Sequence, residues 1–131
     1  MRLPAALLDA SALLALVFKE KGANRVWDVV RRGAAISAVN AAEVASRLGS
    51  EGWTEEEVEG FFEDSRIEVF PFDRPAALLS GAYRQSTRQL GLSLGDRACL
   101  ATARQLGLAA LTADRAWAEL ELDGVSVICI R

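Results

Sequence analysis

Histidine is absent from the 131 residues. With it go the Ser-His-Asp triad, the His-Cys dyad and any zinc site built on histidine. Cysteine occurs only twice, as Cys99 and Cys129, each alone in an apolar stretch. Two such residues make neither a zinc cage nor a disulfide framework, and they read as core thiols. Lysine is scarce as well: Lys19 and Lys21 are the only two of fifteen basic residues. No G-x-x-x-x-G-K-[ST] or G-x-G-x-x-G stretch is present, so the common nucleotide cradles are excluded. No apolar run approaches the roughly 20 residues of a membrane span, and no charged-apolar-small leader pattern opens the chain. A cytoplasmic protein without membrane contact is the expectation.

What is present in quantity is apolar residue (51%) and carboxylate (eighteen Asp and Glu). A chain of this length reads as one domain over 1–131, able to bury roughly two-thirds of its unfolded surface. Hard carboxylate oxygens suit Mg²⁺ or Mn²⁺. The net charge of −3 speaks against a nucleic-acid partner, yet it is unevenly spread. Seven acids and no base lie between Leu48 and Ser65, and removing them leaves the rest of the chain at +4. Thirteen of the basic residues are arginine, the side chain that suits phosphate bidentately.

Met1 to Asp9 reads as a strand, its apolar part running from Leu3 to Leu8. Ser11 then opens an apolar helix, Ala12 to Phe18, and is the better cap, which leaves Asp9 less explained by local structure. Ala23 to Arg32 is a second helix, with Val26, Trp27, Val29 and Val30 inward and Gly33 ending it. Ala34 to Ile36 is a short strand running into Ser37-Ala38-Val39-Asn40-Ala41-Ala42-Glu43. Asn40 and Glu43 have capping-box spacing and share a helix face. Glu55 to Asp64 is a helix capped by Thr54, its acids a solvated face, with Trp53 before it available to a neighbour or partner. Ile67 to Phe70 is a third strand, and Ala76 to Gln89 a helix that puts Arg84 and Arg88 on one face. Leu92 to Ala103 centres on Asp96, where a loop turns into a helix that is small and apolar except for a stripe marked by Arg97 and Arg104. Leu108 to Leu111 and Val125 to Ile130 are the last strands, with a short helix around Trp117. Alternating strands and helices predict a three-layer α/β/α sandwich with a mostly parallel sheet.

In such a sheet, ligands bind outside the carboxyl ends of the strands. Asp9 follows the first strand, Glu43 the second by a turn of helix, and Asp114 the fourth, while Asp96 opens a helix. Each has a local explanation as a cap. Together they form a set of like charges that repel unless a cation compensates. A divalent ion there can orient a phosphodiester and activate water.

The stretches Leu-Leu-Asp9-Ala-Ser11, Ser37-Ala-Val-Asn40-Ala-Ala-Glu43, Leu-Ser-Leu-Gly-Asp96-Arg-Ala-Cys-Leu-Ala and Leu-Thr112-Ala-Asp114-Arg-Ala-Trp resemble the PIN-domain family. More narrowly, they are similar to the VapC toxins of toxin–antitoxin pairs. The resemblance spans the whole chain. It implies strand order 3-2-1-4-5 and a Mg²⁺- or Mn²⁺-dependent endoribonuclease, held in check by an antitoxin and usually homodimeric. It implies Asp9 and Asp96 as metal ligands. Glu43 and Asp114 join them, directly or through water or a second ion. Ser11, Asn40 and Thr112 would support these groups, with Arg84, Arg88 and Arg97 on RNA phosphate. Water is then the nucleophile and structured RNA, a tRNA loop for example, the substrate.

Two rivals stand beside this reading. An aspartyl-phosphate phosphatase is disfavoured, because Ser11 occupies the position two residues after Asp9 and no lysine follows a later strand. A receiver-like or protein-binding module would hold Mg²⁺ without cutting RNA.

Overall fold

The computed structural model describes residues 3–131; the part of the first expected strand on Met1 and Arg2 lies outside them. Five short strands make one sheet: β1 (Ala6–Leu8), β2 (Ala34–Ser37), β3 (Glu68–Phe70), β4 (Ala110–Thr112) and β5 (Val127–Cys129). Their order is β3-β2-β1-β4-β5, and every pairing is parallel. The expected order and layering are therefore those observed. Six helices cover the sheet: α1 (Ala10–Val17), α2 (Ala23–Arg32), α3 (Ala38–Ser50), α4 (Glu55–Ser65), α5 (Arg74–Ser86) and α6 (Leu94–Leu106). No helix among the described residues is long and apolar enough to cross a membrane.

The central strands are apolar on both faces because helices cover both. Side chains alternate across a strand. In β1, Ala6 and Leu8 enter one core with Leu13, Val26, Val44 and Leu48 of α1 to α3. Leu7 enters the other core, with Tyr83 of α5, Cys99 and Leu100 of α6, and Trp117. Chain order runs outward from β1 to β3 and then restarts at β4 on the other side. The β1/β4 border is thus the switch point, where a parallel sheet opens a crevice. Asp9 N–H donates to Leu111 O there, at 3.0 Å.

Three local expectations are corrected. Asp9 itself caps α1, its Oδ1 accepting from Ala12 N–H at 2.8 Å, and Ser11 lies inside the helix. Trp27 points outward and is 54% exposed, since α2 packs through Val26, Val29 and Val30 alone. α5 stops at Ser86, and a separate 3₁₀ turn follows over Arg88–Leu90. The Thr87 hydroxyl donates back to Tyr83 O at 2.6 Å at that break, a bond that competes with helix continuation. Arg84 and Arg88 consequently do not share one α-helical face.

Candidate functional site

Asp9 sits at the end of β1 and is 4% exposed. Its Oδ1 accepts from Ser11 Oγ at 2.7 Å as well as from Ala12 N–H. Its Oδ2 accepts from Thr112 Oγ1 at 2.6 Å, across 103 residues of chain. The two hydroxyls lie 3.3 Å apart, and each also accepts a main-chain N–H of the loop after β4. Ala113 N–H reaches Ser11 Oγ at 2.9 Å and Asp114 N–H reaches Thr112 Oγ1 at 3.0 Å. Ser11 and Thr112 thus clasp the ends of β1 and β4 together around one carboxylate.

Burial pushes the Asp9 carboxyl up to about 6 in spite of these three donors, and the negative charge of Asp96 adds to the rise. A buried carboxylate is costly unless something compensates its charge. Among the described residues, no Lys or Arg forms an ion pair with Asp9, Glu43, Asp96 or Asp114.

Asp96 is the third residue of α6. Its Oδ2 accepts from Ser93 N–H at 3.0 Å, and its own N–H donates to Ser93 Oγ at 3.1 Å. Ser93 is therefore the cap, and the reciprocal bonds form a capping box that holds the carboxylate at the first turn of α6. The box uses Oδ2 alone.

Glu43 comes from α3, which Ser37 caps by accepting Asn40 N–H at 3.1 Å. Asn40 is fully buried, and its amide is committed on all sides. Its Oδ1 accepts from Ser37 Oγ at 2.7 Å, while Nδ2 donates to Glu43 Oε1 at 2.8 Å and to Gly95 O at 3.0 Å. Asn40 thereby ties Glu43 to the first turn of α6. The carboxylate rests where a Gly95 side chain would be, with a Cβ there only 2.5 Å from both oxygens. Gly95 is a functional position that motif reading passed over; the signal was a glycine placed directly before the Asp of a helix's first turn.

Cys99, one turn below Asp96, is wholly buried. Its thiol is pushed well above the usual range, first by burial and then by the charges of Asp9, Asp96 and Glu43. Glu43, lying against Gly95, and Asp96, one residue further on, both stand at the first turn of α6, and the charge of Asp96 bears on Asp9. Asp114 stands one step aside. Its backbone joins the clasp, but its Oδ1 accepts Ala116 N–H at 3.0 Å and caps the 3₁₀ turn Arg115–Glu119. Among the described residues, no three acids or thiols close into a finished cage as they stand. The donor set still suits a hard divalent cation, being anionic and all oxygen, with Asp9 buried, Asp96 half-buried and Glu43 and Asp114 exposed. Asp9, Asp96 and Glu43 could hold such an ion, with Asp114 at its rim.

Arg97, expected on phosphate, points inward and is 9% exposed. Its Nη1 donates to Ser80 O at 3.0 Å and Ser80 Oγ donates to Arg97 O at 3.3 Å, so the pair staples α6 to α5. Arg97→Ala is expected to lower stability by about 2 kcal/mol, since it removes a charged donor from a buried carbonyl. A denaturant melt measures this, and RNA titration of the still-folded variant should match the wild type. Arg84 and Arg88 are exposed, and neither contacts the four acids.

Comparison with known proteins places this geometry. The sequence pattern of the PIN domain matches residues 6–122. A solved toxin–antitoxin complex from Klebsiella pneumoniae contains a similar chain, 24% identical with a TM-score of 0.75, over 96% of this chain and 98% of that one. A DNA-bound VapBC structure from Salmonella typhimurium gives 21% identity and a TM-score of 0.70, over 99% and 100%. A promoter-bound VapBC2 structure from Rickettsia felis gives 16% and 0.70, over 95% and 97%. At these identities the likeness is one of fold. No curated protein sequence matched. The matched stretch runs from β1 past the 3₁₀ turn after β4 and takes in Asp9, Glu43, Asp96 and Asp114, and on that match the chain belongs to the PIN domain family.

Proposed function

We propose that the chain is a divalent-metal-dependent endoribonuclease and the toxin of a toxin–antitoxin pair. The observation that carries the chemistry is that Glu43 lies against the first turn of α6, which bears Asp96, and that the charge of Asp96 reaches the buried Asp9 carboxyl, with no Lys or Arg paired to any of them among the described residues. Membership of the PIN family supports nuclease action, and the similar chains in structures titled toxin–antitoxin complex or VapBC support the pairing with an antitoxin. Exposed apolar side chains such as Leu78 and Leu94 leave surface for a second copy in a homodimer.

Mg²⁺ or Mn²⁺, held by Asp9 and Asp96 with Glu43 and Asp114 beside it, would supply Lewis acidity and neutralise charge at the scissile phosphate. The protein's own share is positional. The Ser11–Thr112 clasp fixes the Asp9 carboxylate through both of its oxygens. The capping box leaves Asp96 Oδ1 free of its own helix. Glu43, fixed through Oε1, offers Oε2 to orient the attacking water. The water oxygen bonds to phosphorus in line as the P–O3′ bond breaks, and the proton ends on O3′. The products are a 5′-phosphate and a 3′-hydroxyl. No side-chain nucleophile is needed, consistent with a chain that has no histidine. Structured RNA, such as a tRNA loop, is the substrate class.

The test is incubation of purified protein with structured RNA and Mg²⁺ or Mn²⁺, followed by end mapping. Cutting with those ends is expected, stopped by a chelator and restored by excess metal. Cutting that persists unchanged in chelator, or equally in Asp96→Asn, overturns the reading.

A further inference from the structure

A band of basic side chains runs from the candidate site along the C-terminal edge of the sheet, and nothing in the proposed chemistry uses it. It begins at Arg115, directly after Asp114. Arg115 Nε donates to Arg131 O at 3.2 Å. Arg131 Nη1 in turn donates to Lys21 O at 3.1 Å, with Glu20 Oε1 at 3.5 Å. Lys19 and Lys21, the chain's only lysines, then line a groove with Trp27, Asn24 and Leu16. Arg25 stands alongside, its Nη1 on Cys129 O at 3.1 Å. Main-chain carbonyls hold these three arginines, and among the described residues Glu20, which also lines the groove, is the acid that pairs with the band, through Arg131.

The groove is built rather than incidental. Lys19 adopts a left-handed backbone, φ +56°, which an ordinary side chain seldom takes and which folds keep where position matters. Gly22, at φ +97°, presses against Ile130, where a Cβ would meet the chain at 2.7 Å. The lysine turn is thus locked to the end of β5. Trp27, the most exposed of the three tryptophans, lies beside the locked turn. Exposed aromatic faces beside a cationic track are what single-stranded nucleic acid uses, bases stacking while the backbone follows the charges.

We propose that Arg115, Arg131, Lys21, Lys19 and Trp27 form a track for a single-stranded RNA segment flanking the bond to be cut. The track rests on the nuclease reading and extends it: the substrate is gripped outside the metal crevice, by stacking and phosphate contact, without base-specific readout.

The full-length protein with Lys19→Ser and Lys21→Ser, and separately Trp27→Ala, is compared with wild type on two RNAs that share one cleavage site. One carries a long single-stranded flank and one is trimmed to the site. For the long RNA, KM should rise about tenfold with kcat unchanged, while the trimmed RNA should show no difference. The slope of log affinity against log salt should fall by about 1.4 for the double lysine variant, given roughly 0.7 per phosphate contact on single strands. Quenching of the exposed tryptophan by the long RNA should vanish in Trp27→Ala. Wild-type cutting with equal KM in every variant overturns the track and leaves the nuclease reading standing. So does a dimer that dissociates in Trp27→Ala while RNA affinity holds, which would make the face a protein interface. No cutting and no RNA binding by any form overturns both.

Discussion

Asp9→Asn is expected to cut RNA about a thousandfold more slowly than the wild type, yet to unfold at a higher temperature when metal is withheld. Both halves follow from one buried carboxylate. The loss of rate comes from removing an anionic ligand whose charge holds the cation; several kcal/mol of transition-state stabilisation depend on that ion, and about 4 kcal/mol is a thousandfold. The gain in stability comes from the rise of the Asp9 carboxyl from 3.8 to about 6 through burial. In the unfolded chain the group sheds its proton near 4. In the folded chain it keeps the proton to about 6. Folding is therefore helped below pH 4, and that help is lost as the pH climbs through 6. Above that range the charge costs the metal-free fold about 3 kcal/mol relative to the protonated form. An amide of the same shape carries no such charge, so the variant should gain about 2 kcal/mol near pH 7.5 and little at pH 4. Thermal melts in chelator at the two pH values measure it. A variant no more stable than wild type at pH 7.5 would mean that the Asp9 environment is already compensated. Adding Mg²⁺ should reverse the ranking, because only the wild type gains from binding it.

Gly95→Ala should cost about a hundredfold in cleavage while leaving the fold as stable or slightly more so. Alanine is the better helix residue by up to about 1 kcal/mol. The three atoms nearest the new methyl all belong to the far end of Glu43, an exposed side chain whose carboxylate can swing into solvent. What breaks is the bridge in which Asn40 holds both Glu43 Oε1 and Gly95 O. Groups that orient metal-site ligands are worth about 10- to 100-fold in affinity or activity, and here the oriented group is itself displaced. Paired melts and single-turnover assays separate the two effects. A variant that cuts normally would show that Glu43 acts from more than one position. A variant that unfolds would show that the contact is rigid.

Legibility in the sequence followed the range of the forces involved. The five strands and their layering were readable because apolar runs punctuated by acids and glycines are local. The four acids stood out as candidates because each follows a strand or lies in the first turns of a helix. Their partners were less so. Ser11 looked like a cap, but a hydroxyl that serves β4 from across the chain leaves no local trace, and Asp9 took the cap for itself. Arg97 looked like surface because a lone arginine on a small-residue helix reads as its wet face; its acceptor, Ser80 O, belongs to another helix and to no periodicity. Trp27 looked like core because its neighbours Val26, Val29 and Val30 are. The break after Ser86 turned on one threonine hydroxyl.

The clasp between Ser11 and Thr112 also sets when the protein can work. Asp9 and the hydroxyl that secures its second oxygen lie 103 residues apart along the chain, and Asp96 stands between them in sequence. A growing polypeptide, or a fragment clipped ahead of β4, owns the most important carboxylate without the neighbours that aim it. On the proposed nuclease reading, cutting therefore requires β1 and β4 to be paired within one folded chain.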